Sequence, residues 1–251
     1  AEIDLANVPN LKNLGKRFRG QDYDPENKYS VGYLYGTAGI GYNSEAVKTP
    51  PDSWAILWDE KFKGRICMMN DARETLGAAL KYLGYSLNTT NPDEIAKAKD
   101  LLIKQKPLVR KYDSESPQDL LIAGEVALCH GWSGTITLAT KEKPAVKYLI
   151  PKEGGSIFHD NLCIPKGARN KRMAEEFINY LLRPEIGGGI TNVTKFPNCN
   201  EAAKPFIKKE ILENPTIYPP DEVLDKLEPI RDVGQATALY DRAWTEIKAS
   251  R

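Results

Sequence analysis

Residues 66–80 constrain the fold more than any other stretch of the chain. Ile66-Cys67-Met68-Met69 is an apolar run of strand length. Asn70-Asp71-Ala72-Arg73-Glu74 then leads without a linker into Thr75-Leu76-Gly77-Ala78-Ala79-Leu80, where apolar residues recur at helical spacing. A fully buried strand running straight into a helix is the unit of an α/β sheet, and such sheets keep their ligands beyond the carboxyl ends of their strands. Two acids, Asp71 and Glu74, stand there. Their spacing is also that of a capping box, so a plain helix cap accounts for them equally well at this point.

The remaining chain repeats the pattern. Tyr29 to Tyr42 alternates as a strand and carries Gly36, Gly39 and Gly41 in the order G-x-x-G-x-G. That order is wrong for a dinucleotide fingerprint and no helix follows, which predicts a crossing strand with close backbone approach. Ser53 is placed to cap a short helix bearing Trp54, Leu57 and Trp58, and Asn91-Pro92-Asp93-Glu94 opens a helix that lasts until Pro107. Strands are expected over 124–129, 145–150 and 156–165, with a glycine-rich turn and a helix after the first. An amphipathic helix over 171–183 is expected to turn Met173, Phe177, Ile178, Leu181 and Leu182 inward. Order is expected to loosen after Gly187-Gly188-Gly189, and a last helix to span 232–248. Strands alternating with helices in this way predict a mainly parallel sheet covered on both faces.

Composition narrows the function classes. With 251 residues and 41% hydrophobic content the chain can bury a core in one large or two ordinary domains. Lys and Arg number 35 against 34 Asp and Glu, a net charge of +1, so charge gives no reason to expect nucleic acid or an acidic membrane surface as partner. No apolar run approaches the ~20 residues that span a bilayer. Ala1-Glu2-Ile3-Asp4 does not read as a signal peptide, so the chain as given is expected to be soluble, with any export signal or anchor removed or never there. Cys67, Cys129, Cys163 and Cys199 are scattered, which predicts free core thiols rather than a disulfide framework.

Two motifs point toward enzymes rather than a binding site. His130-Gly131-Trp132-Ser133-Gly134 approaches a nucleophile elbow, but G-x-S-x-G needs its second glycine two residues after the serine, and here it is one after. Cys129, His130, His159 and Cys163 are zinc-type ligands, yet Cys129 and His130 are neighbours on a strand and point to opposite faces. Neither a hydrolase using His130 and Ser133 nor a zinc enzyme using the Cys/His set is favoured, and no metal or cofactor is expected. What remains is acids interleaved with aromatics at strand ends: Asp71, Glu74, Trp132, Phe158, Asp160 and Phe196. Buried carboxylates need a cation, and aromatic faces attract ammonium groups and pack on methylene chains. Together they describe a slot for an alkylammonium ligand.

Longer motifs carry a resemblance. Asn70-Asp71-Ala72-Arg73-Glu74, Leu83-Gly84-Tyr85-Ser86-Leu87-Asn88-Thr89-Thr90, Pro151-Lys152-Glu153-Gly154-Gly155 and Leu182-Arg183-Pro184-Glu185 occur in that order, ahead of Asp232-Val233-Gly234 and the terminal helix. In these the chain resembles the spermidine/putrescine-binding proteins of polyamine ABC transporters. The resemblance implies a type II periplasmic-binding-protein fold, two α/β lobes with mainly parallel sheets joined by crossing strands. It implies polyamine capture at the periplasmic or extracellular face of the cytoplasmic membrane and delivery to a permease, in a free, lipid-anchored or permease-fused form, with no reaction catalysed.

Carried over by position, Asp71 and Glu74 would receive one terminal ammonium, with Ser114 as a polar contact beside them. Asp160 would hold an inner or second amine between aromatic walls formed by Trp132 and Phe158. Phe196 stands where the family pattern has tyrosine, and Ile230 near a glutamine, which leaves putrescine and spermidine both open as ligand. The family's front segment has no counterpart here. One lobe is therefore expected to be truncated, with 1–36 and 160–205 as its remnant and 37–159 and 206–251 as the whole lobe. The expected consequences are weakened binding and an exposed apolar helix face, covered in a homo-oligomer by domain swapping or by a second chain.

Overall fold

The computed structural model describes residues 1–250. Its strands are β1 (Ser30–Asn43), β2 (Ile66–Met68), β3 (Val109–Tyr112), β4 (Leu128–Trp132), β5 (Val146–Leu149), β6 (Ser156–Cys163) and β7 (Glu228–Pro229). Its α-helices are α1 (Ala72–Tyr82), α2 (Pro92–Gln105), α3 (Pro117–Ile122), α4 (Ser133–Glu142), α5 (Lys171–Leu181), α6 (Pro184–Thr194), α7 (Lys209–Leu212), α8 (Asp221–Leu224) and α9 (Thr237–Ala249). Two units emerge: Ala1–Gly36 with Phe158–Tyr218, and Thr37–Ile157 with the chain from Pro219 onward. The passages thus fall after Gly36, Ile157 and Tyr218, where the sequence had suggested 159/160 and 205/206 for the last two. The last is displaced because Ile207, Ile211 and Ile217 form an apolar cluster, and the Tyr218 ring packs edge-on against Tyr35 at 6.5 Å.

The larger unit is built on β2. It pairs in parallel with β3 on one side and β4 on the other, with Met68 opposite Tyr112 and Cys67 opposite Cys129. The crossing strand β1 runs antiparallel to both β4 and β5. Ile66 and Met68 enter a cluster with Trp54, Leu57 and Ala78, whereas Cys67 joins Leu121, Cys129 and Ile136. Alternate residues thus reach opposite covered faces, which is why the run reads as apolar throughout. Leu76, Ala79 and Leu80 of α1 pack with Ile95, Ala98 and Leu102 of α2 and with Tyr240, Ala243 and Ile247 of α9. Gly41 has no room for a side chain, since a Cβ there would lie 2.8 Å from Cys129 Sγ. The close approach read from the glycine pattern is thus its role.

The smaller unit holds its first residues through one acid. Glu175 of α5, 2% exposed, accepts the Asp4 amide at 2.8 Å and Asn7 Nδ2 at 2.6 Å, and pairs with Lys171 at 3.1 Å. The Asp4 amide first, and then Asn7 and Lys171, hold its carboxyl down to about 2. Glu175 and Ile178 form the buried stripe of α5, which Leu182 continues at its C-cap. Met173 and Phe177, expected to face inward, are 68% and 59% exposed and share a second stripe with Tyr180. The triple glycine does not loosen the chain; α6 runs through it. Gly187 and Gly188 are buried, and a Cβ on Gly188 would sit 2.5 Å from Phe206 Cβ, so close packing replaces helix propensity there. Among the described residues no helix is long and apolar enough to cross a membrane.

Candidate functional site

In the larger unit, three parallel strands deliver their carboxyl ends to one level. The register from Met68–Tyr112 and Cys67–Cys129 brings Asn70, Ser114 and Trp132 abreast, with Asp71 one residue further. The Asp113 amide extends the ladder by donating to Met68 O at 2.8 Å. Asp71 caps α1, its Oδ1 accepting the Glu74 amide at 2.9 Å. Among the described residues the buried Ser114 hydroxyl has no hydrogen-bond partner. Trp132 ends β4, half-buried.

Glu74 is not the second half of a capping box. Its side chain turns away from the helix start and is bonded by the Ser156 hydroxyl, 2.9 Å from Oε1 and 2.7 Å from Oε2. Glu74 and Ser156 are 5% and 4% exposed. Burial pushes the Glu74 carboxyl up to about 7; Ser156 and Arg73 oppose that rise and Asp71 adds to it. Thr75 fixes the turn beneath by donating its hydroxyl to Met69 O at 2.8 Å. A carboxyl group so placed gains a full negative charge at little cost only when a cation arrives.

In the smaller unit, Phe158 and Asp160 lie two residues apart on β6 and share a face. Phe196 joins Phe158 with ring centroids 6.0 Å apart at 66°. Both rings cover Gly36, where a Cβ would come within 2.5 Å of Phe158 and 3.1 Å of Phe196. Asp160 is open to solvent, yet partial burial lifts its carboxyl above the usual range. Tyr33, its neighbour, is raised by burial first and by Asp160 second. His159 points the other way, edge-on to Phe18 at 5.3 Å.

The histidine and serine of the enzyme reading serve packing. His130 is buried with its ring edge-on to Trp54 at 5.2 Å, and burial drives its pKa down to about 3. Ser133 Oγ accepts the Thr37 amide at 3.2 Å, tying α4 to β1. Cys67, Cys129 and Cys199 are buried, but Cys163 is exposed, contrary to the expectation of four core thiols, because β6 turns it outward. Sequence reasoning missed Ser156. Its only signal was a small polar residue ahead of Ile157 and Phe158, which is also what a turn would place there.

Acids and aromatics stand at strand ends of the larger unit and on β6 of the smaller, and β1 and β6 carry the chain from one α/β unit to the other, the arrangement of a two-unit α/β binding protein. Residues 1–218 match the family described as bacterial extracellular solute-binding protein, and the chain belongs to that family. It is 36% identical over 251 residues to the spermidine/putrescine-binding periplasmic protein of Salmonella typhimurium, covering 100% of this chain and 72% of the relative. It is 38% identical over 270 residues to a putrescine-binding periplasmic protein of Pseudomonas aeruginosa, covering 100% of this chain and 74% of that one. A solved spermidine/putrescine ABC transporter substrate-binding protein from Streptococcus pneumoniae superposes with a TM-score of 0.91 at 30% identity, covering 99% of this chain and 77% of that one. The chain is thus an extracytoplasmic solute-binding protein and not an enzyme.

Proposed function

We propose that the chain captures a linear polyamine, spermidine or putrescine, for delivery to an ABC permease. The observation that carries this reading is Glu74: a buried carboxyl at the carboxyl end of a parallel sheet, beside Asp71, with no cation bonded to it among the described residues. Asp71 and Glu74 receive an ammonium group, Ser114 offers its unused hydroxyl, and Trp132 supplies an aromatic face. In the smaller unit Asp160 takes an amine, and Phe158 and Phe196 pack on methylene groups. Isothermal titration with putrescine and spermidine tests the reading. Asp160→Asn should weaken binding by about 2 to 5 kcal/mol, and an unchanged affinity would remove Asp160 from the site.

The protein's place is the outer side of the cytoplasmic membrane, either free or held by a lipid anchor or a permease fusion, which fractionation of cells with and without detergent separates. The exposed stripe of Met173, Phe177 and Tyr180 supports self-association through the smaller unit. Sedimentation equilibrium of the chain beside Phe177→Lys tests that, and a monomer in both would dismiss it.

A further inference from the structure

We propose that Ser156 is the positioning residue for Glu74: its hydroxyl holds the carboxyl group in both protonation states and so sets the pH at which an ammonium cation is taken up. The inference rests on the amine-capture reading above. Ser156 opens β6 and pairs across the ladder with Glu228 of β7, so its backbone is fixed. Its Oγ stands within hydrogen-bond distance of both carboxyl oxygens, 2.9 and 2.7 Å, and both side chains are buried.

That geometry fits two states. In the neutral acid, the Glu74 O–H donates to Ser156 Oγ while the serine O–H donates to the other carboxyl oxygen, a closed pair with no unmet donor. In the carboxylate, the serine donates to one oxygen and leaves the other lone pairs for an incoming N–H. Arrival of an ammonium group therefore displaces the carboxyl proton to solvent, and no other bond changes. The titratable or charged groups facing Glu74 are Asp71 and Arg73 from its own helix and Tyr148 from β5. Tyr148 is already engaged with Thr37, its hydroxyl 2.7 Å from Thr37 Oγ1 and 3.1 Å from Thr37 O, so Ser156 is the hydroxyl that follows the Glu74 proton. Since Ser156 opposes the burial-driven rise of the Glu74 carboxyl, removing it raises that carboxyl further.

The test has a ligand-free and a ligand-bound arm on the full chain. Carbon-13 NMR titration of the Glu74 carboxyl without ligand should show its midpoint move up by about one pH unit in Ser156→Ala and return in Ser156→Thr. Titration calorimetry with putrescine, run in two buffers of different ionisation enthalpy, should show proton release by the wild type near pH 7. In Ser156→Ala, affinity should fall about fivefold at pH 7 and recover by pH 8.5, a recovery that a merely misfolded variant would not show. An unshifted Glu74 midpoint in Ser156→Ala overturns the inference. Failure of wild type to bind putrescine or spermidine at any pH overturns the amine-capture reading instead, while the ligand-free titration still decides whether Ser156 governs the carboxyl.

Discussion

Glu74 and Glu175 are both buried carboxyls, and their surroundings act in opposite senses. Glu175 is depressed by an amide, an asparagine and a lysine, so the stability it contributes is present above its ordinary 4.5 and is lost as pH falls toward about 2. Glu74 is raised from 4.5 to about 7, so the folded chain bears no penalty below 4.5, a growing one between 4.5 and 7, and the whole of it above 7. That difference corresponds to about 3 kcal/mol. Glu74→Gln keeps the shape and a donor–acceptor pair for Ser156 but carries no charge. It should raise unfolding free energy at pH 8 by up to about 3 kcal/mol in urea titrations and flatten the profile between pH 4.5 and 7. A variant no more stable than wild type at pH 8 would mean the carboxylate is not desolvated. Only part of this was legible in the residues. The three-residue spacing announced a helix start, and Asp71 does cap it, but nothing in the spacing tells which acid will leave the helix for a serine 82 positions away.

Elements were legible where burial and period agree. The strand-to-helix passage at 66–80 and the Asn91 cap, whose Oδ1 accepts the Asp93 amide at 3.0 Å, needed only local chemistry. β3 was not anticipated, because Arg110 and Lys111 stand exposed on a strand that ends the sheet, where charge protects an edge but erases the apolar pattern. α6 was misread for the converse reason. Its three glycines lower helix propensity, and two of them, Gly187 and Gly188, make room for Asn198 and Phe206 from beyond the helix. The three positions should therefore separate on substitution. Gly189 faces open space, so Gly189→Ala should stabilise the chain by up to about 1 kcal/mol in thermal or urea unfolding. Gly188→Ala drives a methyl into Phe206 and should cost about 1 to 3 kcal/mol. Equal effects at both positions would remove close packing as the reason for the glycines.

At the scale of the whole molecule, the order of motifs identified the family, while composition identified only what the chain does not use. A net charge of +1 supplies no long-range attraction for a polycation, so the reading proposed above rests on a few carboxyls rather than on a field. The two possibilities differ in their response to salt. Capture by a diffuse acidic surface weakens steeply as the Debye length shrinks from ~10 Å at 0.1 M to ~3 Å at 1 M. Pairing with a buried carboxyl such as Glu74 is screened far less, because little solvent or salt separates the partners. Putrescine affinity measured by calorimetry at pH 8 should thus change by less than about tenfold between 0.1 and 1 M salt. A much steeper decline would place the attraction on the exposed carboxylates of the surface, and Glu74 would then be a buried acid satisfied by Ser156 and nothing more.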